Sequence, residues 1–268
     1  MSGPVVVGVD GSQSSMAAVE TAAREADRLG VELRLAHALV WPSAHVPPGV
    51  PPWDRGGAGV RGVVNGALAE AESRAHRAAP SVHVTQDVLM GEPVRVLATE
   101  SREAALTVVG SRPPGRRGGS VAGQLVAHGS SPLLVVRGRP DPAGPVVLVG
   151  SHTPKVRAAA EFAFAEASGR GADLLVLDGT KPGDALPHHE LADALPSLRE
   201  KYPDVVVHHA HVRRGIRRAL VEASTTAQLM VVGAEGRGGL ADGLGSPVSR
   251  VALNHSDCPV VVIRAEGR

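Results

Sequence analysis

Asp10 closes an apolar run, VVVGVD, and is followed at once by Gly11 and Ser12. A carboxylate at the tip of a strand accepts hydrogen bonds from a ribose hydroxyl or a base amine, or from the helix that follows it. A later run, LTVVG at Leu106–Gly110, opens a loop rich in glycine and arginine, GSRPPGRRGGSVA. Glycine backbone N–H groups approach a phosphate closely, and a helix N-terminus adds favourable partial charge. Gly119 and Ser120 just precede a helical stretch that opens at Val121, so an N–H and a hydroxyl are on hand there. Arg112, Arg116 and Arg117 lie in the same loop and can pair with phosphate charge directly. If the two runs are neighbouring strands where the winding of a parallel sheet reverses, Asp10 faces this loop across a crevice. A plainer reading also fits: glycines in a tight turn, a Ser N-cap, and Asp10 capping the helix after the first strand.

Other chemistry is weaker. No GxxxxGK[ST], HExxH or GxSxG occurs, which removes the commonest phosphate-transfer, zinc-protease and serine-hydrolase readings. Gly57-x-Gly59-x-x-Gly62 spells a dinucleotide fingerprint but follows no strand, so it is read as accidental. His208, His209 and His211 sit in an apparent strand, where His209 and His211 share a face, and read as solvated edge residues rather than a metal site. Arg213, Arg214, Arg217 and Arg218 form a basic patch at a helix entry, read as a solvated face. Cys258 precedes an apolar strand and reads as a small core residue.

The elements that must position these residues occur twice. PVVVGVD at residues 4–10 is answered by PVVLVGS at 145–151, LTVVG by LMVVG at Leu229–Gly233, and PLLVV at 132–136 by PVVVI at 259–263. This is duplication of a whole domain, with a Pro/Gly-rich linker at residues 138–144 and domains at 1–138 and 145–268. Each half reads as strand, helix, strand, a longer connection, strand, helix, strand, helix, strand. The strands are Val- and Leu-rich without in/out alternation, as in a parallel sheet buried on both faces. In the first helix Ala18, Ala22, Ala26 and Leu29 line one face, with Val19 and Ala23 beside them. The fold class is α/β: two tandem doubly wound, five-stranded parallel-sheet domains with helices on both faces. The two closing strands, Leu133–Val136 and Val260–Ile263, each have an edge to cover, and are expected to pair within the chain as a pseudo-twofold pair. Residues 41–63, rich in Pro and Gly, read as a long irregular connection.

Composition narrows the partners. With 28 Lys+Arg against 27 Asp+Glu, the formal charge of +1 gives no general field for nucleic acid or acidic lipid. Aromatics are 2%, too few for base-stacking platforms or a membrane-interface belt. No run is long and apolar enough for a membrane span, and the N-terminus lacks a signal-peptide pattern. One cysteine excludes an intrachain disulfide and fits a reducing compartment, so a cytoplasmic location is expected.

The ordered set VVVGVDGS, LTVVGSR, GSVAGQLVAHGSSPLLVV, LMVVGAEGRGG and SPVSRVALNHSDCPVVVI resembles the universal stress protein family in its tandem form, over nearly the whole chain. The resemblance implies small α/β domains that pair through their last strands, ATP binding in some members, and regulatory rather than catalytic roles without a required metal. It implies an adenosine contact at Asp10, an adenine wall at Ala38, and further ATP-binding positions at Gly91 after the third strand and at Gly110, Arg112, Gly119, Ser120 and Val121. Both halves depart from the family's nucleotide motif. In the first, Pro113 stands where a second glycine is expected and the loop is short. In the second, Gly233 and Gly236 match, but the closing pair falls on Ser246 and Pro247 counting back from Pro259, or on Gly245 and Ser246 counting forward with the loop one residue short, and Ser151 replaces the Asp while Arg214 falls where Gly91 sits. The first half is therefore expected to be the better adenosine pocket and the second weak or silent. Three functions compete: a nucleotide-responsive stress regulator, a ligand-independent scaffold of the same fold with an unknown protein partner or a second copy, and, last, a slow ATPase.

Overall fold

The structure is a computed structural model that describes residues 3–40, 58–111, 120–139, 144–150, 156–178, 189–212, 215–234 and 247–264. It divides into two compact units, Met1–Ser111 and Arg112–Arg268.

In the first unit the order is β1 (Val5–Gly8), α1 (Gln13–Leu29), β2 (Leu33–Leu39), α2 (Ala58–Ala78), β3 (Val84–Met90), α3 (Pro93–Glu100) and β4 (Leu106–Gly110). The strands are parallel in the order β3-β2-β1-β4. Val5, Val6 and Val7 are all fully buried. Successive strand side chains point to opposite faces, so both faces of β1 are covered. Ser12 starts α1 by accepting from the Ser15 N–H, and Gly30 ends it in the left-handed region at φ 66°. Ala18, Val19, Ala22, Ala23 and Ala26 are fully buried, while Leu29 is only partly so.

Residues 41–63 are not irregular throughout, because α2 begins at Ala58. Its residues 59–63 are exposed, and its buried stripe starts only at Val64, continuing through Leu68, Ala71 and Ala75. Gly59, Gly62 and Gly66 each weaken helix propensity by about 1 kcal/mol relative to Ala. A helix whose first turns lie outside the core and carry glycine leaves no apolar period to read. Gly59 and Gly62 of the apparent dinucleotide fingerprint are thus helical, not a phosphate turn.

The second unit contains α4 (Val121–His128), β5 (Leu133–Val136), β6 (Val146–Gly150), α5 (Val156–Arg170), β7 (Leu174–Asp178), α6 (His189–Lys201), β8 (Val207–His211), α7 (Ile216–Ser224), β9 (Leu229–Gly233), α8 (Pro247–His255) and β10 (Val260–Ile263). Its strand order is β5-β10-β9-β6-β7-β8. β5 runs antiparallel to β10, with Val135 opposite Val260 and Leu133 opposite Val262, and the other pairs are parallel. The expected pairing of the closing strands is thus present within the chain. Val146, Val147, Leu148 and Phe164 are fully buried. The longer connection of the second half also holds a helix, α6, which buries Ala194 and Leu198 despite Pro196 in its interior.

Candidate functional site

β1 pairs with β2 on one edge and β4 on the other, with Val5 beside both Leu33 and Leu106. The winding reverses between β1 and β4, the place where open parallel sheets bind ligands. Asp10 lies just past β1, and Gly110 ends β4.

The Asp10 side chain is exposed and held by its own turn. Its Oδ1 accepts from the Ser12 N–H at 2.9 Å and from the Ser12 hydroxyl at 2.5 Å. Ser12 Oγ accepts in turn from the Ser15 N–H at 3.2 Å, and Ser15 Oγ donates to the Ser12 carbonyl at 2.9 Å. Since the Ser12 proton goes to Asp10, the 3.0 Å contact between the Ser12 and Ser14 hydroxyls is donated by Ser14. Partial burial pushes the Asp10 carboxyl up, but the two bonds from Ser12, helped by the nearby Ser15 hydroxyl, outweigh it and hold the group below its ordinary value of 3.8. Asp10 is therefore an acceptor-only carboxylate at neutral pH. Among the described residues no hydrogen bond reaches its Oδ2. The cap of α1 is Ser12, not Asp10; Asp10 is one link behind it and orients the capping hydroxyl.

Gly110 is explained by close packing. A Cβ there would lie 2.3 Å from the Ser14 carbonyl oxygen and 2.5 Å from its carbon, both backbone atoms of the first turn of α1. Ala38 is partly exposed near the end of β2 and pairs with Leu89. Gly91 has φ 139°, a value side-chain-bearing residues rarely adopt, and its N–H donates to the Leu39 carbonyl at 3.0 Å. An open groove beside these strand ends is lined by Leu39, Leu89, Met90, Gly91, Arg95 and Val96. The sequence reading missed His37, whose Nδ1 lies 2.8 Å from the Val9 carbonyl. A carbonyl only accepts, so Nδ1 carries the proton and His37 braces the backbone just before Asp10. No spacing in the sequence signals a ring on β2 bonding to the chain beyond β1.

Ser120 is the N-cap of α4, and its Oγ accepts from the Gly123 N–H at 3.0 Å. Val121 begins that helix. Gly233 ends β9, buried, and its carbonyl accepts from the Ser249 hydroxyl at 3.3 Å. β9 adjoins β6 as β4 adjoins β1, so the strand order that sets the first switch point recurs in the second half. Arg112, Pro113, Arg116, Arg117, Gly119, Ser151, Arg213, Arg214, Gly236, Gly245 and Ser246 lie outside the described residues.

His208 and His209 lie on the edge strand β8 and are exposed. His208 Nε2 lies 2.9 Å from Asp173 Oδ2, and His209 faces Arg199 at 3.4 Å. Among the described residues no three His, Cys, Asp or Glu side chains are grouped to hold a metal ion. Arg217 and Arg218 are exposed at the start of α7. Cys258 is fully buried, and burial pushes its thiol up to about 12. Among the described residues no helix is long and apolar enough to cross a membrane.

The model of the universal stress protein family matches the chain twice, at residues 1–137 and 145–264. The chain is 33% identical over 289 aligned positions to the universal stress protein Rv2623 of Mycobacterium tuberculosis, covering 97% of this chain and 96% of that one. To Rv1996 of the same organism it is 35% identical, covering 97% and 94%. A crystal structure of a universal stress protein from Archaeoglobus fulgidus superposes with a TM-score of 0.74 at 16% identity, covering 98% of this chain and 97% of that one, a likeness of fold.

Proposed function

The chain belongs to the universal stress protein family, and on that premise we propose that it is a cytoplasmic stress-response regulator that binds an adenosine nucleotide, ATP foremost, beyond the carboxyl ends of β1 and β4. One observation carries the reading: an ionised carboxylate stands at the switch point with one oxygen fixed by Ser12 and the other, engaged by no hydrogen bond among the described residues, left open for a ribose hydroxyl. The fixed oxygen orients the open one, so a ligand hydroxyl meets an acceptor already in position. Ala38 supplies a small wall for the base, and the positive-φ turn at Gly91 keeps that side clear of a side chain. In the second half Ser151 takes the place of the carboxylate and offers one uncharged hydroxyl. A hydrogen bond to an ionised acceptor is about twice as strong as a neutral one, so the second site is the weaker or is silent. The role is binding that alters shape or partner choice rather than turnover, and it calls for no metal.

A second reading, a scaffold without a nucleotide, draws on specific observations. Gly110 is accounted for by Ser14, and the Ser120 hydroxyl by the cap of α4. Titration calorimetry with ATP, ADP and AMP, on the full chain and on Asp10→Ala, separates the two. Heat of binding in the parent that is lost in Asp10→Ala supports the nucleotide reading. Absence of heat for every nucleotide, with no nucleotide co-purified by mass spectrometry, leaves the scaffold.

A further inference from the structure

The two repeats end alike: β5 runs into Arg137 and β10 into Arg264. Arg137 Nη1 donates to the Leu253 carbonyl, and its Nη2 donates to the Asn254 carbonyl at 3.3 Å, both in the last turn of α8. Arg264 Nη1 donates to the carbonyl of Gly129, the C-cap of α4. Each repeat thus sends the arginine after its last strand to the C-terminus of the other repeat's closing helix. The antiparallel β5–β10 pairing explains the reciprocity. It sets the end of each strand beside the start of the other, and each start is fed by a closing helix.

The chemistry suits the place. The last carbonyls of a helix lack intrahelical donors and carry partial negative charge, and a guanidinium supplies several donors with positive charge. Gly129 is extended rather than left-handed, so α4 lacks the usual glycine closure and its carbonyl is taken by Arg264 instead. Arg137 Nε is buried without a hydrogen-bond partner among the described residues, a cost that its two Nη bonds offset. Gly138 permits the approach: it has φ 70°, and a Cβ there would lie 1.7 Å from the Asp257 carbonyl oxygen.

We propose that Arg137 and Arg264 form a reciprocal clasp that makes the β5–β10 seam and both closing helices open as one cooperative unit, so that loosening one repeat's closing helix loosens the other's. The proposal does not depend on a nucleotide. Its test is amide hydrogen exchange on the full chain, comparing the parent with Arg264→Gln. The expected result is exchange faster by about tenfold or more at the α4 end, along β5 and β10, and in the last turn of α8, with β1 and β2 unchanged. The hydrogen bond removed in Arg264→Gln is to the Gly129 carbonyl at the end of α4, so a response in the last turn of α8, where Arg137 binds, reports transmission across the seam. Faster exchange confined to residues 125–129, no change, or a uniform rise that includes β1 and β2 overturns the clasp. Should Arg264→Gln fold poorly, Arg264→Lys keeps the charge but loses the fork. The same pattern at smaller amplitude supports the proposal, and any other pattern overturns it.

Discussion

Asp10 and Gly110 do different work at the same switch point, and substitutions separate the two. A Cβ at Gly110 meets backbone of Ser14, which cannot rotate away, so Gly110→Ala must push β4 and the start of α1 apart. We expect a loss of about 1–3 kcal/mol, read as a lower urea midpoint, with or without nucleotide. An unchanged midpoint would show that the contact relaxes freely. Asp10 is instead a matter of charge. Its folded pKa is depressed, so the stability it contributes is fully present above its unfolded value of 3.8 and is lost as pH falls through the folded value. Asp10→Asn keeps an acceptor for Ser12 but not the charge. The gap in urea midpoint between parent and variant is therefore expected to hold steady from pH 7 to about pH 5 and to close below about pH 4. A gap that ignores pH would deny Asp10 its role as a charged acceptor.

At the scale of elements, α1 is defined by alanine. Ala18, Ala22 and Ala26 are fully buried, and α1 packs on α2, β1 and β4. Small side chains let these elements approach closely, so Ala22→Leu overfills the layer. It should cost about 1–3 kcal/mol in chemical denaturation, whereas the same change at exposed Ala17 should cost little. Elements whose pattern is set by burial were legible in the sequence. The Val5–Val7 and Val146–Leu148 runs declare strands covered on both faces, and their recurrence declares the duplication. The helix α2 was not legible, because its first turns face water and carry glycine, leaving Val64, Leu68, Ala71 and Ala75 as a thin stripe. The site was legible in part. A carboxylate and a glycine at two strand tips stand out as residue types, and the strand order makes them neighbours. The reason for Gly110 was hidden, since a glycine required by a helix backbone and one required by a phosphate look the same in sequence. The chain of Asp10, Ser12 and Ser15 was hidden too, because capping depends on which oxygen faces which N–H.

For the whole molecule, counting by sequence and counting by packing give different boundaries. The repeats meet near residues 138–144, yet α4 and β5 of the first repeat belong by packing to the unit Arg112–Arg268. The antiparallel seam is the cause, since β5 finds its partner in β10. Cys258 sits beside this seam, just ahead of β10, fully buried and the only cysteine of the chain. Its thiol reports the opening of that unit without interference. With its pKa pushed up to about 12, it holds almost no thiolate at pH 8 while folded. In an unfolded chain a cysteine has a pKa of about 8.5 and reacts readily. Labelling with a thiol-specific disulfide reagent at pH 8 should therefore be slower in the native protein than in urea by at least about a thousandfold, and should rise with urea along the unfolding transition. Arg137 lies near Cys258 and lowers its pKa through its charge, against the stronger effect of burial. Removing that charge therefore raises the intrinsic thiol pKa and slows direct attack. Arg137→Gln is therefore expected to accelerate labelling through a more open seam and not through a more reactive thiol. Rapid labelling of the parent in native buffer would instead mean that this part of the second unit opens without crossing its main unfolding transition.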